Sequence, residues 1–131
     1  MAAAESTSPG EAIDVAVLVR LIGPEPAMLA DFYVDFARSA AEALLAFEQA
    51  LAAGSLGPAE SVAHRLKGSA RLIGATALGD ACAHLEEACR ISSEDALRSA
   101  LRMVQAEAGR AREWIEKGGV GVPAPQIGGA P

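Results

Sequence analysis

Three residues near the middle of the chain, His64, Lys67 and Gly68, combine a potential nucleophile, a cation and a position without a side chain. On a helix, Lys67 and Gly68 fall within about 60° of His64, so the three share one face. An unprotonated imidazole can act as a nucleophile and form a covalent intermediate in group transfer. If it accepted a phosphoryl group, the ammonium of Lys67 could stabilise the negative charge that builds up there. Gly68 costs a helix about 1 kcal/mol relative to alanine, but it would let a partner surface approach the ring.

Each of these three residues also has an ordinary interpretation. An isolated histidine on a solvent-facing helix is usually only solvated, a lone lysine is a common surface residue, and a lone glycine can ease helix packing. The opposite side of the same helix, at about 140–200° from the histidine, is the predicted buried face. That face consists of Val62, Leu66, Ser69 and Ile73. We therefore expect His64 to project away from the core, although spacing alone leaves its role undecided.

Five helical segments are predicted to position this face, from apolar residues at steps of three and four and from Pro and Gly boundaries. They cover residues 13–22, 25–53, 58–73, 77–91 and 93–117, approximately. Since short links between helices favour antiparallel neighbours, the expected fold is all-α. It is an antiparallel up-down-up-down four-helix bundle with a short additional N-terminal helix.

The boundaries and the core of these helices are also predicted. Gly57 and Thr76 are expected as N-caps of the third and fourth helices, and the fifth starts at Ser92-Ser93, with Asp95 placed for a capping box. The second helix carries a continuous apolar stripe that should form the centre of the core. The stripe consists of Leu29, Phe32, Phe36, Ala40, Ala43, Phe47 and Leu51.

The composition of the chain limits the number of domains and the classes of function. The small polar start (residues 1–11) and the Gly/Pro-rich end (residues 118–131) are predicted to be disordered, which leaves one domain over residues 12–117. A net charge of −6 argues against nucleic-acid binding, which needs a basic face. No apolar run approaches the length of a membrane span and no signal peptide is evident, so we expect a cytoplasmic protein without membrane insertion.

The two cysteines, Cys82 and Cys89, lie seven residues apart on one predicted helix. That spacing separates them by about 10 Å, which is too far for a disulfide. We predict that both are small buried hydrophobic residues and not metal or redox ligands.

The run SVAHRLKGSARLIGATALGDACAHLEEACR, residues 61–90, resembles the signature helix pair of histidine-containing phosphotransfer (HPt) domains of two-component phosphorelays. The family pattern His-x-Leu-Lys-Gly-Ser-Ala is matched from His64 to Ala70. A following pattern of spaced apolar residues and a glutamate is also matched, by Gly74, Ala75, Leu78, Cys82, Leu85 and Glu86. The resemblance covers essentially residues 13–115, and the motif lies in the third of five helical segments, as the family requires.

The resemblance implies roles for individual residues. His64 would be the phosphoacceptor, normally through Nε2, Lys67 would support the phosphoryl group, and Gly68 would keep the docking surface open. Arg71, one further turn along, is expected to add to the charge balance of that surface. Leu72, at about 80° from His64 on the wheel, is expected to belong to an apolar rim.

Two neighbouring residues are given no part in the chemistry. His84 matches no family role and is expected to be an ordinary surface or boundary histidine. Glu86 follows the packed Leu85 and is expected to be structural rather than catalytic.

The implied partners are response-regulator receiver domains, which carry an aspartate and a bound Mg²⁺, and a sensor (hybrid) histidine kinase. The domain itself would need no metal or cofactor and would act as a free-standing monomer. The expected function is that of a phosphocarrier and not an enzyme, since the chain lacks a Gly-rich nucleotide loop. His64 would accept a phosphoryl group from a phosphoaspartyl receiver or a kinase and pass it to the aspartate of another receiver.

Two other classes of function stay open. One is an HPt-like adaptor or kinase-binding regulator that acts without phosphotransfer, against which the intact His-x-x-Lys-Gly argues. The other is a metal or cofactor site in the bundle core, which usually needs inward Glu and Glu-x-x-His sets on several helices. Glu60 and His64 are spaced i, i+4, but both point outward on the wheel.

Overall fold

The computed structural model describes residues 11–118, which form five α-helices and no strand. The helices are α1 (Val15–Ile22), α2 (Pro26–Ala52), α3 (Leu56–Ile73), α4 (Thr76–Ile91) and α5 (Glu94–Glu116). Each of the four long helices packs against the next, α5 returns against α2, and the short α1 covers α2 and α3. This arrangement confirms the predicted all-α four-helix bundle with a short additional N-terminal helix. The predicted tails lie outside the described residues, except for Glu11 and Gly118.

The direction of α4 relative to α3 follows from the side-chain pairs between them. Glu60 near the start of α3 pairs with Arg90 near the end of α4, and Arg71 near the end of α3 pairs with Asp80 near the start of α4. The two helices are therefore antiparallel, and they meet at the tight turn formed by Gly74 and Ala75.

Two of the predicted helix starts are wrong. The first backbone hydrogen bond of α3 is accepted by Ser55, two residues before Gly57, and that of α4 is accepted by Ala75, not Thr76. Ala75 can occupy this position because its own N–H donates to Ala70 at the end of α3, which leaves little chain between the two helices. At α5 the predicted start is confirmed, because the Ser93 hydroxyl accepts from the backbone N–H of Ala96. The predicted capping box is wrong, because the third residue of the helix is Ala96 and the Asp95 side chain is fully exposed.

The buried stripe of α2 is rotated by one residue near its start. Tyr33 is buried, whereas Phe32 is 46% exposed, so the prediction that Phe32 lies in the core is wrong. The Tyr33 ring packs edge-on against the ring of Trp114 on α5, with 5.1 Å between ring centroids. The rest of the stripe still supplies core residues, including Leu29, Phe36 and Phe47.

A glycine fixes α1 against the turn between α3 and α4. Gly74 has φ +94, a conformation that favours glycine, and its carbonyl accepts a 2.9 Å hydrogen bond from the N–H of Asp14. A Cβ at this position would lie 2.3 Å from the Asp14 carbonyl oxygen. The Asp14 side chain in turn caps α1 by accepting from the N–H of Ala16. The first helix is therefore anchored beside the end of α3.

Candidate functional site

His64 projects from α3 into solvent, with its side chain 64% exposed. Behind it, Val62, Leu66 and Ile73 are buried, as the helical wheel predicts. The same wheel predicts that Ser69 is buried, but it is exposed, because it lies at the edge of an open groove between α2 and α3. The imidazole is thus presented on the outer side of a helix whose inner side is packed in the core.

One carboxylate of α4, that of Glu86, holds both His64 and Lys67. Its Oε2 lies 2.8 Å from Nδ1 of His64, and its Oε1 lies 2.7 Å from Nζ of Lys67. The Glu86 side chain is only 13% exposed and that of Lys67 is 21% exposed, so solvent screens this ion pair less than a surface pair. The two ends of the carboxylate therefore fix an imidazole and an ammonium side by side on α3.

This contact determines which nitrogen of the imidazole is free. An ionised carboxylate can only accept hydrogen bonds, so the hydrogen-bond network assigns the ring proton to Nδ1 of His64. In the neutral ring, Nε2 then carries the lone pair, and the side chain is mostly exposed. A neutral imidazole with a free Nε2 is the form that can attack an electrophile.

The pKa of Glu86 supports this assignment. The hydrogen bond from Lys67 is the largest cause that lowers the pKa of this carboxyl, and the hydrogen bond with His64 lowers it further, while partial burial acts in the opposite direction. The carboxyl group is therefore ionised across the whole range above its ordinary pKa. It presents a full negative charge to both side chains.

Gly68 is not required by the packing of the bundle. A Cβ built at this position would meet no atom of the described residues within 4 Å, apart from its own helix backbone and chain neighbours. The interpretation that this glycine eases helix packing is therefore wrong. Its missing side chain leaves open space one turn from His64, on the exposed face of α3.

The family model described as "Hpt domain" matches residues 31–114, which is more than half of the chain and includes all of α3 and α4. The chain belongs to the Hpt domain family. Hpt domains function in histidine phosphotransfer in two-component systems, as phosphocarriers rather than enzymes, and they interact with receiver domains and kinases. Comparisons with curated proteins and with solved structures return no match. The resemblance inferred from the sequence is confirmed by the family model alone.

Arg71 and Leu72 extend the face of this Hpt domain beyond Gly68. The Arg71 side chain lies across α4 and pairs with Asp80, with 3.5 Å between Nη2 and Oδ1. Leu72 is 60% exposed and borders a depression of about 230 Å³, into which Leu21 of α1 and Phe32 of α2 also project. The structure thus brings an apolar rim to one side of His64 and a series of charged pairs to the other.

The sequence predicts a structural part for Glu86, but it does not predict that this carboxylate contacts His64 and Lys67. The signal lies in the turn between the helices. His64 and Glu86 each lie eleven residues from Ala75, and Glu60 and Arg90 each lie fifteen residues from it. In an antiparallel helix pair, residues equidistant from a tight turn lie at the same level, so this spacing could have indicated that Glu86 faces His64.

The remaining candidates have no visible part in this site. His84 is exposed on α4. Cys82 and Cys89 are free and buried, as predicted. Burial raises the pKa of the Cys82 thiol to about 12 and also raises that of Cys89, so neither is placed as a reactive thiolate. Within residues 11–118 no cluster of three or more His, Cys, Asp or Glu could hold a metal ion, and none of the helices is long and apolar enough to cross a membrane.

Proposed function

We propose that this Hpt domain carries a phosphoryl group on Nε2 of His64. It takes the group from the phosphoaspartate of a receiver domain or from a sensor histidine kinase, and it passes the group to the aspartate of another receiver. One observation carries the proposal: the Glu86 carboxylate holds Nδ1 of His64 and the ammonium of Lys67 together, beside the open space at Gly68.

The transfer step balances without a general base on this chain. The lone pair of Nε2 forms a bond to phosphorus, the bond from phosphorus to the aspartate oxygen breaks, and its electron pair returns to the carboxylate. No proton has to leave Nε2, because the ring proton resides on Nδ1 and remains shared with Glu86. The ring gains positive charge as the bond forms, and the adjacent carboxylate of Glu86 offsets it.

Lys67 supplies the charge that the phosphoryl oxygens need. Its ammonium has three N–H donors, so it can donate to an oxygen of a phosphoryl group on the neighbouring ring while it stays paired with Glu86. The bundle contributes a rigid helix that holds the imidazole in place for attack. The Mg²⁺ of the reaction belongs, in this proposal, to the receiver domain and not to the Hpt domain.

The two histidines of the chain provide a matched experiment. Wild type, His64→Gln and His84→Gln are mixed with a panel of receiver domains that carry radiolabelled phosphoaspartate. We expect an acid-labile, base-stable label on wild type and on His84→Gln, and none on His64→Gln. Label that persists on His64→Gln would refute the site. Absence of label on wild type with every donor would refute phosphotransfer and favour an adaptor function.

A further inference from the structure

The side chain of Arg71 packs against Gly79 of α4, in the space that a side chain at this position would occupy. Gly79 is buried, and a Cβ added to it would lie 2.8 Å from Cγ and 3.2 Å from Nε of Arg71. The backbone at this glycine does not have the positive φ that would otherwise explain the residue. The missing side chain therefore makes room for the aliphatic stem of Arg71 and directs it along the surface of α4.

The guanidinium at the end of this stem is only loosely engaged. Its distance of 3.5 Å to Asp80 is at the limit of a hydrogen bond, and both side chains are about half exposed or more. An exposed ion pair with such geometry contributes little to stability, so Arg71 can exchange this partner for another at small cost. Lys67, by contrast, is held by Glu86 at 2.7 Å in a less exposed setting.

Arg71 lies within reach of any domain that docks at His64. It is within about 20° of His64 on the wheel and about 10 Å further along α3. A standard interface covers about 800 Å² of each partner, which corresponds to a patch about 16 Å in radius. A receiver whose aspartate approaches Nε2 of His64 therefore also covers Arg71.

The charge of α3 indicates the chemistry of that partner. This helix carries three cations, Arg65, Lys67 and Arg71, against a single carboxylate, Glu60, although the chain as a whole has a net charge of −6. On the adjacent α4, Glu86 and Asp80 face Lys67 and Arg71, and the pair between Arg71 and Asp80 is long and exposed. A carboxylate on the partner is therefore the group that would complement Arg71.

We propose that Arg71 is a docking residue that helps to select the receiver domain. On docking it leaves Asp80 and pairs with a carboxylate on the receiver surface, while Gly79 keeps its stem in line with α4. The inference rests on the proposed phosphotransfer function and adds a residue that acts on partner affinity and not on the transfer step.

The test compares Arg71→Gln, Asp80→Asn and the control Arg98→Gln, which removes the same charge from an exposed pair on α5. The readout is the single-turnover rate of transfer as a function of receiver concentration. Arg71→Gln is expected to raise the half-saturating concentration by about two- to fivefold, the change that corresponds to one exposed ion pair, and to leave the maximal rate unchanged. It should also weaken the salt dependence of binding. Asp80→Asn removes the competing partner and should lower the half-saturating concentration, whereas Arg98→Gln should match wild type.

The variant Gly79→Ala tests whether the packing of the Arg71 side chain against Gly79 matters for docking. This variant is expected to raise the half-saturating concentration as Arg71→Gln does, and to have no further effect when it is combined with Arg71→Gln. If wild type transfers but Arg71→Gln behaves like Arg98→Gln, the docking role is refuted alone. The docking role is also refuted if Arg71→Gln and Asp80→Asn shift the half-saturating receiver concentration in the same direction, since that would indicate a structural ion pair. Failure of wild type to accept phosphate from any donor would instead refute the proposed function, and this inference with it.

Discussion

Replacing Gly68 by alanine should make the domain more stable and less active. The added methyl group meets no atom of the described residues within 4 Å beyond its own helix, so no packing penalty opposes the change. Alanine is favoured over glycine in a helix interior by about 1 kcal/mol. For a domain of this size, a gain of about 1 kcal/mol raises the melting temperature by about 4–8 °C.

The same methyl group should impede the partner. It stands one turn from His64 on the exposed face of α3, where a receiver must approach the ring. Overpacking a close contact costs about 1–3 kcal/mol, so we expect transfer from a phosphorylated receiver to slow by about tenfold or more. A leucine at the same position should slow it further, since its side chain is larger.

Gly109→Ala is the matched control. This glycine lies inside α5, and a Cβ there would make only an ordinary contact, 3.9 Å from Nη2 of Arg112. Thermal denaturation followed by circular dichroism should show a similar gain in melting temperature for both variants, while single-turnover assays should show slower transfer for Gly68→Ala only. A loss of stability in Gly68→Ala would contradict the open space at this position. Transfer at the wild-type rate would contradict the approach of the partner along this face.

Three further predictions concern the site and the core. Glu86→Ala should shift the His64 tautomer toward Nε2–H in ¹⁵N NMR spectra. It should also slow phosphoryl acceptance by about fivefold, because one charge-assisted hydrogen bond at a mostly exposed ring contributes about 1 kcal/mol. An unchanged tautomer would contradict the positioning role of Glu86. Because the pKa of Glu86 is lowered, its contribution to stability is complete above the ordinary carboxyl pKa and is lost as the pH falls through the lowered value. Lys67→Met removes the hydrogen bond that is the largest cause of the lowered Glu86 pKa. The Glu86 pKa, measured by NMR titration of its carboxyl carbon, should therefore rise. An unchanged midpoint would show that Lys67 does not lower this pKa. Finally, the buried Tyr33 hydroxyl has no hydrogen-bond partner within residues 11–118, so Tyr33→Phe should raise the free energy of unfolding in urea by about 1 kcal/mol. A less stable variant would show that the hydroxyl is satisfied after all.

The features that depend on helical period could be predicted from the sequence. Val62, Leu66 and Ile73 are buried and His64 is exposed because a single helix of 3.6 residues per turn places them on opposite sides. The short links likewise predict neighbouring helices to be antiparallel, which the pairs between α3 and α4 show directly.

The features that depend on contacts between helices were harder to predict. Phe32 and Tyr33 are adjacent on α2, and the buried ring is the one that contacts Trp114 on α5. Glu86 follows a buried leucine, a pattern that also suits an ordinary surface glutamate. Its contact with His64 depends on the register of α4 against α3, which the turn at Gly74 and Ala75 sets.

The position of the phosphoryl group on the protein tests directly whether Nε2 of His64 is the phosphoacceptor. The Hpt domain is labelled with ¹⁵N, phosphorylated by transfer from a receiver domain, and studied by NMR for coupling between ³¹P and ring nitrogens. We expect the phosphorus to couple to Nε2 of His64, with Nδ1 still protonated and hydrogen-bonded to Glu86. Coupling to Nδ1 of His64, to a nitrogen of His84, or to no nitrogen in a phosphorylated protein would contradict the account.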